Sequence, residues 1–93
     1  MDVRFYLDPE TGLPHMNVHG VQEHEVEDVL TSPGEDRSGA EGSRVAIGQT
    51  VGGRYLRVIY VPDLDTDSVF VITAYELRGT PLAAYMRRRR RRR

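Results

Sequence analysis

Every cationic side chain of this 93-residue chain, histidine aside, is an arginine; there are 13 and no lysine. Arginine presents a planar fork of donors that fits phosphate and carboxylate oxygens two at a time, so its placement reports on anion recognition. Arg44, Arg54 and Arg57 stand close to Tyr55 and upstream of Thr73 and Tyr75, and Arg87 to Arg93 close the chain as an unbroken run. Arginine for phosphate and tyrosine for base stacking is the residue mix of a nucleic-acid face. His15, His19 and His24 supply imidazoles, which suit zinc, nickel and copper. Pro14 and Gly20 break the helical spacing such a site would use, and no carboxylate stands at a recognised interval. Surface or structural roles are expected for these histidines, and neither metal nor cofactor. Asp63-x-Asp65-x-Asp67 lacks the glycine and distal glutamate of an EF-hand loop and reads as an acidic hairpin loop.

Absent residues narrow the chemistry further. With no cysteine there is no disulfide framework, no thiolate nucleophile and no Cys-based zinc site. The N-terminal stretch Met1 to Asp8 does not have the basic and then apolar character of a signal peptide, and no apolar run approaches a membrane span. A cytoplasmic protein with no membrane partner is expected. A chain of this length buries about 60–65% of its unfolded surface, which leaves little room for a large enclosed catalytic cavity.

The formal net charge of −1 is a sum of two opposed pieces. Residues 1–86 hold six Arg against fourteen Asp and Glu, a net of −8, and the last seven residues carry +7. Such asymmetry points to interaction chemistry. The terminal run, 87–93, reads either as a disordered phosphate-binding arm or as an extension of the last helix, and folding back onto the acidic body is a third possibility.

The elements that must hold these residues follow from periodicity and turn chemistry. Residues 3–7 read as a short strand, and Asp8 to Gly12 as a turn. Leu13 to Gly20 is a polar stretch without a clear period. Val26, Val29 and Leu30 fall at i, i+3 and i+4 and predict a helix over 22–31, ended by Pro33-Gly34. Residues 34–43 contain almost nothing to bury and read as a mobile loop. Strands are expected over 44–50, 54–61 and 68–77, with Gly52-Gly53 as the hairpin turn between the first two. Thr80 and Pro81 start a final helix through Met86. The order β-α-β-β-β-α predicts one α+β domain over 1–86, with a small antiparallel sheet.

Alternation of side chains along strands then assigns faces. A two-residue turn at Gly52-Gly53 puts Val45, Ile47, Leu56, Val58, Tyr60, Phe70, Ile72 and Ala74 on the core face, against the helices. Arg44, Ala46, Thr50, Tyr55, Arg57, Ile59, Val69, Val71, Thr73 and Tyr75 fall on the other. That second face is either a half-solvated outer surface or a platform for nucleic acid.

Several short motifs along the chain resemble a known family. His19-Gly20-Val21, Glu25-Val26-Glu27-Asp28-Val29-Leu30, Val45-Ala46-Ile47-Gly48-Gln49-Thr50, Gly53-Arg54-Tyr55-Leu56-Arg57-Val58-Ile59-Tyr60 and Val71-Ile72-Thr73-Ala74 resemble the BrnT-type toxins. They also resemble a neighbouring family of uncharacterised small bacterial proteins. The resemblance runs from about residue 5 to residue 86 and implies a RelE-like fold, with helices on one face of the sheet and RNA on the other. It further implies metal-independent RNA cleavage within a bacterial toxin–antitoxin system. The ribose 2′-OH would attack the adjacent phosphate, with groups to take its proton, to hold the phosphate oxygens and to protonate the leaving oxygen.

His19, Arg54, Arg57, Tyr75 and Glu76 are the residue types available for those catalytic roles. Arg44, Tyr55, Thr73, Arg87, Arg88, Arg89 and Arg90 are expected to contact RNA. Expected partners are RNA and a cognate antitoxin, with a homodimer left open. The sequence also departs from the toxin pattern. Val18 stands where those toxins usually carry Lys, Tyr75 where they carry Arg, and the last helix is apolar and then purely Arg. With two cations of the pattern missing, a non-catalytic nucleic-acid or protein-binding module with the same fold is the alternative.

Overall fold

The structure is a computed structural model that describes residues 2–91. Five strands, β1 (Asp2–Phe5), β2 (Glu35–Ser38), β3 (Arg44–Gln49), β4 (Tyr55–Asp63) and β5 (Ser68–Glu76), form one sheet in the order β1-β5-β4-β3-β2. Two α-helices, α1 (Glu23–Thr31) and α2 (Gly79–Arg91), complete the α+β domain, with short 3₁₀ turns at His15–His19 and Ala40–Gly42. No helix among the described residues is long and apolar enough to cross a membrane. The sheet is mixed rather than antiparallel: β1 runs parallel to β5, and the other neighbours are antiparallel. The parallel pair arises because the chain between β1 and β5 contains the rest of the sheet, so β1 returns to an edge that a hairpin could not reach.

The β3–β4 hairpin departs from the expected turn by one residue, and the consequence is large. Gln49 pairs with Tyr55, and Thr50 N–H donates to Arg54 O at 2.7 Å, closing a loop of Val51, Gly52 and Gly53. Gly53 takes φ +100, the left-handed conformation that a three-residue hairpin loop requires at its last position. The Thr50 hydroxyl accepts the Arg54 N–H at 3.0 Å and fixes the loop. A shift of one residue moves every side chain of a strand to the opposite face. Ala46 therefore faces the core opposite Val58, while Val45 and Ile47 join Ile59 and Arg57 on the other side.

A bulge in β5 produces the second departure. Ile59 pairs with Thr73 but Tyr60 pairs with Val71, so Ile72 is an extra residue in β5 and alternation restarts after it. Val69 and Val71 turn into the core with Ala74, and Phe70 and Ile72 are left 41% and 37% exposed. Alternation without the bulge places both in the core.

The main core lies under α1. Val26 and Val29, with Met16 and Val21 from the preceding turn, pack on Ala46, Leu56, Val58, Tyr60, Val69, Val71 and Ala74. Gly48 permits the close approach: a Cβ there would stand 3.3 Å from a Val29 methyl. A second cluster of Ile47, Leu77 and Tyr85, flanked by Tyr55 and Leu82, holds α2. Ala46 and Ile47 are consecutive on one strand, so the two helices lie on opposite faces of the sheet and not on one. The reason is the hairpin register, which gives both faces apolar residues to cover.

Residues 35–38, expected within a loop, form the edge strand β2. Its polar side chains are held by ion pairs and hydrogen bonds instead of apolar contacts. Asp36 accepts Arg44 Nε at 2.9 Å and the Tyr60 hydroxyl. Glu35, only 8% exposed at its side chain, receives two hydrogen bonds from Arg88, at 2.7 and 2.9 Å. That bidentate pair ties the end of α2 to the sheet edge. The helix continues through Arg91, so Arg87 to Arg91 extend the last helix; Arg92 and Arg93 lie outside the described residues.

Candidate nucleic-acid interface

The face of the sheet opposite α1 is covered by α2 over only part of its area. On this face cross-strand register places Ile47, which lies under α2, Arg57 and Tyr75 in one row and Val45, Ile59 and Thr73 in the next. Directly opposed residues on one face have Cβ atoms about 4.5–5.5 Å apart, so Arg57 and Tyr75 are neighbours. Phe70 follows on the same face after the bulge, its ring edge-on to Tyr6 at 6.5 Å. Neither Tyr6 nor Phe70 is evident as a surface residue from sequence: Phe70 counts as core until the bulge is known, and Tyr6 follows β1 without any motif.

His19 reaches this area from the side. The 3₁₀ turn His15–His19 packs along β5, where β1 has already ended. The His19 ring stands 6.0 Å from the Tyr75 ring, and the His15 ring 5.5 Å from that of His19. His15 Nδ1 lies 3.7 Å from an Asp8 carboxylate oxygen. Among the described residues, no three His, Asp or Glu side chains converge as a metal site.

Arg57 is the distinctive member of this group. It is half-buried, and its Nε, like that of Arg54, is out of contact with solvent and has no hydrogen-bond partner among the described residues. No carboxylate lies within ion-pair distance of it among the described residues. Thr73 Oγ1, one row along, is likewise buried and without a partner. Burying donors without acceptors costs free energy, and arginines in such surroundings are ordinarily paired.

The other arginines of the sheet have a different fate. Arg54 donates to Gly20 O at 3.3 Å, and its Nε stands 3.5 Å from Glu25 and 3.7 Å from Glu76. Glu25 in turn accepts the Gln22 N–H at 3.0 Å at the start of α1. Glu76 accepts Arg78 at 2.7 Å, and this hydrogen bond, with the charges of Arg78 and Arg54, holds its carboxyl below the ordinary glutamate range. Arg54 and Glu76 thus form a network that fixes the hairpin end to α1, on the opposite side of the sheet from Arg57 and Tyr75. By residue type alone they belong to one catalytic set; strand alternation separates Tyr75 from Glu76.

Arg44 is also corrected. Hairpin register turns it to the α1 side, where Asp36 binds it and raises its pKa, so it does not share a face with Arg57. Tyr55 does share that face, but its ring meets Tyr85 of α2 at 6.0 Å and is half-buried there. Among the terminal arginines, Arg88 is committed to Glu35, and Arg89 donates to the Tyr85 hydroxyl at 3.1 Å while lying over that ring. Arg87 and Arg90 project from α2 with no ion pair among the described residues.

No protein family, curated protein or solved structure gives a match to this chain.

Proposed function

We propose that this chain binds single-stranded RNA on the sheet face that carries Arg57, Thr73, Tyr75 and Phe70, with His19 at its margin. The observation that carries the reading is Arg57, a half-buried guanidinium with no carboxylate partner in a body whose other sheet arginines are paired. A phosphate on the terminal nitrogens of Arg57 supplies the counter-charge that the described residues do not, and the exposed rings of Tyr6 and Phe70 offer stacking surface to unpaired bases. The unpaired arginines of α2 add phosphate contacts of the salt-dependent kind. This is the nucleic-acid-binding form of the BrnT-like resemblance.

A second reading, cleavage of that RNA within a toxin–antitoxin pair, is favoured by the His19–Tyr75 juxtaposition beside Arg57. His19 would take the 2′-OH proton as the 2′-oxygen bonds to phosphorus, and Arg57 would hold the phosphate. Tyr75 would protonate the 5′-oxygen as its bond to phosphorus breaks, leaving a 2′,3′-cyclic phosphate. Arg54 and Glu76 do not enter it, because both are engaged on the far side of the sheet. An antitoxin with an apolar segment would cover the same exposed face.

Fluorescence anisotropy with a labelled single-stranded RNA separates the readings. Arg57→Ala is expected to weaken binding roughly 10- to 100-fold, the worth of one charge-assisted contact of about 1.5–3 kcal/mol. Unchanged affinity would remove the proposal. Strand scission by the wild type that is lost in His19→Ala, with binding retained, would establish the nuclease; intact RNA at high protein concentration would leave binding alone.

A further inference from the structure

A second basic site lies where α2 meets the ends of β3 and β4. An open hollow of about 380 Å³ is lined by Gln49, Tyr55, Met86, Arg89 and Arg90. It is at the lower end of small-molecule pocket sizes, roughly 300–1,000 Å³. Among the described residues no carboxylate lines it, although residues 1–86 carry a net −8. The hollow on the other side of Gln49 is the opposite in character, lined by Glu27 and Asp28 with His24.

The two arginines differ in how they are held. Arg89 is oriented by its bond to the Tyr85 hydroxyl and by the ring beneath it, and Tyr85 is fully buried. That hydrogen bond also raises its pKa. Arg90 has no partner among the described residues. Gln49 Nε2 donates to Gly53 O at 3.2 Å, which turns its side-chain carbonyl into an available acceptor. Tyr55 and Met86 supply an apolar wall, Met86 being 36% exposed.

We infer that this hollow binds a nucleoside phosphate, with Arg89 and Arg90 on the phosphate and Tyr55 and Met86 against the base. Two forks explain an anion, and a bare anion would leave the aromatic and thioether wall unused. Gln49 Oε1 can accept from an exocyclic amine of the base. The ligand is either a free nucleotide or the phosphorylated end of a strand, which share this chemistry. The site does not depend on Arg57, which lines no part of the hollow.

The test is a titration of the full chain, followed by amide and methyl NMR, with adenosine 5′-monophosphate, adenosine and inorganic phosphate. The monophosphate is expected to shift Gln49, Tyr55 and Met86, and to bind at least about tenfold more tightly than either fragment. Arg90→Gln, a change at an exposed and unpaired side chain, should weaken it by about tenfold, and Arg57→Ala should leave it unchanged. Short RNA with a 5′-phosphate then separates the sources: tighter binding than its 5′-hydroxyl twin identifies a strand end, and equality identifies a free nucleotide. Monophosphate binding no tighter than phosphate would overturn the assignment. So would equal damage from Arg87→Gln and Arg90→Gln, which marks general attraction to the helix.

Discussion

Arg57 has a residue-scale signature that a structural arginine would not have. A half-buried guanidinium whose Nε has no acceptor among the described residues costs the free protein stability, and replacement by an apolar side chain of similar length removes that cost. Arg57→Met is therefore expected to keep or raise stability, by about 1 kcal/mol, while RNA affinity falls. Denaturant unfolding beside a binding isotherm checks both; a drop in stability would mean that Arg57 supports the fold. Thr73→Val, which removes a buried hydroxyl without a partner, should likewise be neutral or stabilising. Tyr60 carries a prediction in pH. Burial, and then its hydrogen bond to Asp36, push its phenol from 10.0 up to about 12. The folded state thus retains a proton that the unfolded state loses, and stability conferred by this group is present below pH 10 and is lost as pH rises toward 12. Alkaline absorbance titration should show one phenol ionising near pH 12, and that step should vanish in Tyr60→Phe.

At the scale of elements, α2 depends on two anchors of different physics. Tyr85 is buried among Ile47, Leu77 and Tyr55 next to Gly34, where any Cβ would collide with the Tyr85 ring and hydroxyl. Arg88 clasps the buried Glu35 carboxylate. Arg88→Gln should cost about 2 kcal/mol, between an exposed pair and a fully buried one, because it replaces a charged bidentate donor to buried Glu35 by a neutral one, with Arg37 Nε still 3.7 Å from that carboxylate. Thermal unfolding measures this, and a variant as stable as wild type would show that α2 does not need the clasp. The same elements explain what the sequence could tell. Val26, Val29 and Leu30 announce α1 by spacing alone, and Arg57, Thr73 and Tyr75 share a face in any reading of β4 and β5 near that register. Arg44 and Ile47 could not be assigned, because Gly52-Gly53 suits a two-residue turn as well as the end of a three-residue one. Phe70 was hidden by a bulge that no local residue type signals. β2 left no apolar trace, since its strand is stabilised by pairing to β3 and by ions.

For the whole molecule, the partition of charge persists with its geometry now specified. Arginines of the sheet, the hairpin and the end of α2 neutralise acids of the body, through Arg44–Asp36, Arg54–Glu25 and Arg88–Glu35. Among the described residues, the free positive charge is confined to Arg57 on the open face and to the outer side of α2. RNA binding should therefore weaken with salt. Arg87→Gln with Arg91→Gln should lower the slope of log affinity against log salt by about 0.7 for each phosphate no longer neutralised, without touching the α2 anchors. Deleting the arginine run would be a poorer test, since it also removes the Arg88 clasp. The most direct measurement is an NMR titration of the backbone amides with a short single-stranded RNA at fixed salt. Perturbations centred on Arg57, Ile59, Thr73, Tyr75 and Phe70 are predicted. A footprint centred instead on Asp36, Arg44 and Tyr60, or confined to the arginines of α2, would contradict an RNA platform on this face of the sheet.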